Sequence, residues 1–171
     1  MNWGTQNYVS LGGLFVGMGI IFWHTALWWV GGGKTAGNWR ALLIPFIPIF
    51  LYGMLLILSA GGILGWVAQF SLWGSNVVGD ATLEYGVGGG TQNVTRTTNV
   101  VLTAPGHMVV GLITIVMVAV WMYSKKISRM STLLYMLSGI CLGLSSGVAG
   151  VFAWAMAPSV DTVGGVIAGV L

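Results

Sequence analysis

Charge is what this sequence has least of: six Lys and Arg and three Asp and Glu among 171 residues, 5% in all. Soluble globular domains carry about 25% charged residues, because a folded surface must be solvated. So few ionised groups cannot cover a water-soluble protein of 18.0 kDa. Intrinsic disorder is excluded by the same shortage, since disordered chains are polar and charge-rich. Cysteine is nearly missing too. Cys141 stands alone in an apolar run, which rules out an internal disulfide and leaves a thiol that packs as a small hydrophobe.

What is absent from particular places excludes more. The four long apolar runs contain no Asp, Glu, Lys or Arg, and intramembrane ionisable groups are the usual pointer to a pump or transporter site. Histidine occurs twice and methionine nine times, scattered, with no close Met or Cys–His cluster of the kind that holds copper or zinc. No Ser, His and Asp lie near one another in sequence, and enzymatic activity is not expected. Gly31-Gly32-Gly33-Lys34-Thr35 has Trp28 where a phosphate-binding loop needs its first glycine, and it follows an apolar run instead of a strand. It reads as a basic turn.

What is present points to lipid. Hydrophobic residues make up 56% of the chain, and mean hydropathy is +0.91. Four runs reach the ~20 residues that a bilayer-crossing helix needs: about 9–30, 41–67, 105–123 and 132–157. The expected fold is a single domain, 1–171, an all-α integral membrane protein of four transmembrane helices. Lys34 and Arg40 fall between the first two runs, and Lys125, Lys126 and Arg129 between the last two. Asp80, Glu84 and Arg96 lie in the long segment 71–104, and Asp161 in the tail. Basic loops stay cytoplasmic, so the expectation is a multi-pass cell-membrane protein with both termini and the 71–104 loop outside. The pI of 9.3 is thereby explained by orientation, and no nucleic-acid partner is expected. Trp3, Tyr8, Trp66, Trp73 and Trp154 fall at the outer boundary and Trp28, Trp29, Trp39, Trp121 and Tyr123 at the inner one, as interfacial aromatic belts do. The opening MNWGTQNYVS has no basic residue ahead of its apolar run, so the first span reads as retained and not as a cleaved signal.

Smaller features complete the expectations. Pro45 and Pro48 suit the first turn of a second helix starting near Ile44, where a missing N–H costs little; a start at Asn38 would place them inside it. ATLEYGV and TQNVTRTTNVVLT, separated by Gly88-Gly89-Gly90, read as a small β-hairpin in the outer loop. Asn93-Val94-Thr95 fits the glycosylation triplet. The apolar, glycine-rich tail 158–171 is too short to span. The chain reads as two similar halves, without a residue-by-residue repeat.

Glycine is abundant, at 28 residues. Gly139, Gly143 and Gly147 recur every four residues, as do Gly13 and Gly17, Gly61 and Gly65, and Ala149, Ala153 and Ala157. Strips of small residues let membrane helices approach closely. They are the candidate packing sites, within the bundle or toward other subunits. His24 and His107 are the two candidate cofactor contacts. His24 lies roughly 20 Å down the first span at ~1.5 Å per residue, and His107 in the first turn of the third, so one haem between them is not expected.

The expected function is therefore non-enzymatic: a structural or assembly subunit of a multi-protein membrane complex, homo- or hetero-oligomeric, with lipid contacts and no cofactor of its own. Two alternatives stand beside it. One is an accessory subunit of an electron-transfer complex touching haem or quinone through His24 or His107; the other is a small oligomeric pore. In topology alone, the chain resembles hydrophobic accessory proteins of bacterial plasmid transfer. Each half resembles a type IV secretion pilin, with two spans flanking a short basic cytoplasmic turn. That resemblance implies a place in secretion, pilus or DNA-transfer machinery.

Overall fold

The computed structural model describes residues 8–30, 38–59, 62–90, 92–94, 102–123, 129–146 and 148–170. They form six α-helices: α1 (Leu11–Val30), α2 (Asn38–Leu58), α3 (Gly62–Ala81), α4 (Ala104–Tyr123), α5 (Arg129–Gly143) and α6 (Val148–Val170). A π-helical turn, Thr82–Val87, extends α3. By length and apolarity, α1 and α4 are candidate membrane spans, and α2 with α3 makes a third if that bent pair is taken together. Gly61, Gly147, Lys34, Lys125, Lys126 and the rest of the Gly31–Thr35 string lie outside the described residues.

Two of the expected spans are broken. The run 41–67 is not one helix: α2 stops at Leu58, where Ser59 N–H bonds to the carbonyls of Leu55 and Leu56. The chain re-enters a helix at Gly62, with φ of +73°, a left-handed conformation open to glycine. The two helices meet at 104°. The run 132–157 breaks after Gly143 in the same way, with Ser145 N–H bonded to the Leu142 carbonyl. Apolarity is continuous across both breaks, so hydropathy alone could not place them.

Other expectations change as well. α2 starts at Asn38, so Pro45 and Pro48 sit inside it and withdraw two N–H donors from its first half. The tail is helical to Val170 and passes through Pro158. Residues 71–81 belong to α3 and ATLEYGV to its π-helical end, not to a hairpin. Gly88, at φ +73°, closes that turn with its N–H on the Leu83 carbonyl, five residues back. The β features among the described residues are isolated bridge positions: Ser10, paired with Asn93, and Ser145; residues 95–101, most of the expected second arm, are outside the described set.

The helix order α1–α2–α3 recurs as α4–α5–α6, with α1 on α3 matched by α4 on α6. The parallel pair α2 and α5 forms the centre, α1 packs on α3 and α5, and α4 packs on α6. A Cβ on Gly53 would strike the Met136 carbonyl, and one on Gly139 the Phe50 carbonyl; both pairs are related by the same 86-residue step. In that register Leu51, Gly53, Leu56, Leu58, Ser59 and Gly61 recur as Leu137, Gly139, Leu142, Leu144, Ser145 and Gly147. The two halves thus correspond position by position along α2 and α5, where Gly53 and Gly139 cross. The core around it includes Met54, Leu55, Leu56, Ile140, Cys141 and Leu142.

Candidate functional site

Two places concentrate polar or ring chemistry. The first is the end of the bundle where α1 and α4 begin. Ser10 caps α1, its hydroxyl accepting the Gly13 N–H at 3.1 Å. Asn76 of α3 reaches across: its Oδ1 accepts the Ser10 N–H at 3.1 Å, and its Nδ2 donates to the Tyr8 carbonyl at 3.0 Å. Asp80, one turn on, accepts the Gly12 N–H at 3.1 Å. These bonds satisfy N–H groups that every helix start leaves unpaired, and the carboxylate lies at the positive end of the α1 dipole.

The second half repeats the device. Asp161 of α6 accepts the Thr103 N–H at 3.0 Å and the Thr103 hydroxyl at 2.7 Å, at the start of α4. Asn76 and Asp161 occupy matching positions, as do Ser10 and Thr103. The approach is close enough that a Cβ on Gly79 would meet the backbone of Gly12, and one on Gly164 the backbone of Pro105 and Gly106. His107 stands one turn into α4, with Nδ1 3.0 Å or less from a backbone partner: 2.8 Å to the Thr103 carbonyl. Asp161 therefore serves Thr103 and not the imidazole. The three groups do not form a nucleophile–base pair.

The second place is an aromatic chain across α1, α5 and α2, away from the capped end. His24 Nδ1 lies 3.0 Å from the Ile20 carbonyl, and its ring meets Tyr135 edge-on at 4.7 Å. Tyr135 meets Phe46 at 5.0 Å, which stacks on Phe50 at 5.3 Å. In both histidines a backbone carbonyl at Nδ1 favours the proton there and leaves Nε2 as the acceptor. Among the described residues no group of three His, Cys, Asp or Glu could hold a metal. His24 and His107 sit on different helices at different levels, as separate positions.

The candidate packing glycines fall at helix crossings within the chain. Gly13 faces Asn76, Gly17 faces Cys141 and Leu142 of α5, Gly139 faces Gly53 and Phe50, and Gly143 faces Met54 and Ile57. Gly65 is buried in α3. Gly165 and Gly169 face open space. Ser138 donates to the Gly17 carbonyl at 2.8 Å. In the other half, Tyr52 takes the place of Ser138 and donates to Thr114 at 2.9 Å, which donates to the Val110 carbonyl at 2.7 Å. The same carbonyl position is reached directly in one half and through a longer relay in the other.

Sequence reasoning missed Gly53, Asn76, Gly79, Asp161 and Gly164. The recurring Leu-x-Gly-x-x-Leu-x-Leu-Ser-x-Gly string carried the signal for Gly53. Asn76 and Asp161 differ in type, and nothing in either local sequence marks a partner more than fifty residues away. Comparisons with protein-family models, with curated proteins and with solved structures find no match to this chain.

Proposed function

We propose that this protein is a non-enzymatic structural or assembly subunit of a multi-protein membrane complex. The observation that carries the reading is where its large apolar side chains point. Phe22 (65% exposed) and Trp23 (64%) on α1, with Ile115 (68%) and Val116 (60%) on α4, face outward, while small and hydrogen-bonded polar residues fill the helix crossings. Among the described residues no buried side-chain polar atom lacks a partner. Contiguous exposed apolar surface marks contact with lipid or with other proteins, and small residues let membrane helices pack without a hydrophobic driving force.

In this reading α1, α2, α4 and α5 cross the bilayer, and the capped helix starts lie on the outer face with both termini. The basic loops lie in the cytoplasm. Impermeant thiol labelling of intact cells should modify Tyr85→Cys and spare Ser128→Cys. The reverse pattern would invert the topology. Outward faces of α1 and α4 that meet partner subunits should yield protein–protein adducts from photo-cross-linkers at Phe22 and Ile115. Adducts with lipid alone at both positions would remove the complex from the reading.

A second reading rests on the histidines. A ring held at Nδ1 by a backbone carbonyl presents Nε2 for a ligand, as second-shell partners do in metal sites. An accessory electron-transfer subunit could use either ring toward a haem or quinone shared with a neighbouring chain. Its signature is a visible absorption band lost on His24→Phe or His107→Gln.

A further inference from the structure

From α3 we infer a second mode of lipid contact: α3 lies in the plane of the outer membrane surface, its aromatic stripe seated at the boundary between headgroups and acyl chains. This deepens the membrane reading and rests on it. Both ends of α3 sit at the same end of the bundle. It begins a few residues after Leu58, whose carbonyl accepts the Leu102 N–H just ahead of α4. Its last turns meet Tyr8, Ser10 and Gly12 at the start of α1. Twenty residues at ~1.5 Å each extend about 30 Å, too short to cross the bundle and come back. The 104° bend from α2 accounts for both contacts at one level.

The two faces of α3 have different occupants. Gly65, Ala68, Leu72, Ser75, Asn76 and Gly79 are buried against the bundle. The other face presents Ile63, Trp66, Val67, Phe70, Trp73 and Val77, at helical spacing. Trp66 and Phe70 stack at 5.8 Å, and Phe70 and Trp73 at 5.8 Å. That face carries no charged residue, as suits the apolar side of a bilayer boundary. Indole rings favour this depth, and interfacial helices bury an apolar face about 5–10 Å into it. Asp80, in the last turn of α3, is held at the start of α1 by the Gly12 N–H.

Depth measurement separates the arrangements. Spin labels at Trp66, Phe70, Trp73 and Val77 in a Cys141→Ala background, with the protein in phosphatidylcholine vesicles, are read by oxygen and water-soluble relaxant accessibility. Labels at Phe22 and Ile115 serve as controls. All four α3 labels should report one shallow depth within a few ångströms, and both controls a deep one. A depth that changes by about 16 Å from Trp66 to Val77 (~1.5 Å per residue) would make α3 a span and overturn the inference. Shallow controls would instead overturn the membrane reading. Four α3 labels in water, with deep controls, would also overturn the inference, leaving that stripe for a protein partner.

Discussion

At the scale of single residues, the molecule depends on positions where the side chain has been left out. Gly53 and Gly139 each face the other half's backbone, so even one methyl group meets a carbonyl oxygen. Overpacking of this kind typically costs about 1–3 kcal/mol. Gly53→Ala and Gly139→Ala should both lower stability by that order, measured by denaturant unfolding in detergent. Gly74 and Gly111 supply the contrast, with nothing near where a Cβ would go. Alanine there removes the helix-interior cost of glycine, about 0.5–1 kcal/mol, and should stabilise. Equal effects at all four sites would mean that the crossing is not close-packed. Sequence spacing singled out Gly139 and Gly143 but not Gly53, because a four-residue rhythm says which residues share a face and not which single glycine meets its counterpart.

At the scale of elements, the device is one helix capping another from far away in the chain. Asp161 holds the start of α4, and Asn76 that of α1. Asp161→Leu removes the acceptor shared by the Thr103 N–H and hydroxyl, a loss of roughly 0.5–2 kcal/mol for an exposed cap, read as early exchange of the first amides of α4. Asp161→Asn keeps an acceptor oxygen and should retain most of that protection. Asn76 is not interchangeable in the same way, because its Nδ2 also donates to the Tyr8 carbonyl, which a carboxylate cannot do. Loss of protection equal in both Asp161 variants would assign the effect to charge and not to the cap. The start of α4 was legible from its apolar run and Pro105. The breaks at Ser59 and Ser145 were not, since Leu-Ser-x-Gly stays apolar enough to read as continuous. ATLEYGV was misread because β-prone residues signal a strand only when a sheet has room for their second face; here Tyr85 and Val87 remain exposed on a π-helical turn.

At the scale of the whole molecule, the sequence conveyed the helical, apolar class and the charge asymmetry between its loops. It conveyed two similar halves but not the register between them. The helices keep register at steps of 93, 86 and 85 residues in turn, so connecting lengths differ between halves and a fixed period is never repeated. The halves differ in side chain where Tyr52 stands at the place of Ser138 and exposed Trp73 at the place of Pro158. On the proposed function, this apolar bundle of two similar halves works as a part of something larger. The direct test is native mass of the protein extracted from its own membrane in mild detergent, with its visible spectrum taken on the same sample. The expected result is a colourless particle several times heavier than 18.0 kDa that contains other polypeptides or further copies of this chain. A folded species at the mass of one chain, or a particle whose absorption band vanishes on His24→Phe, would contradict it.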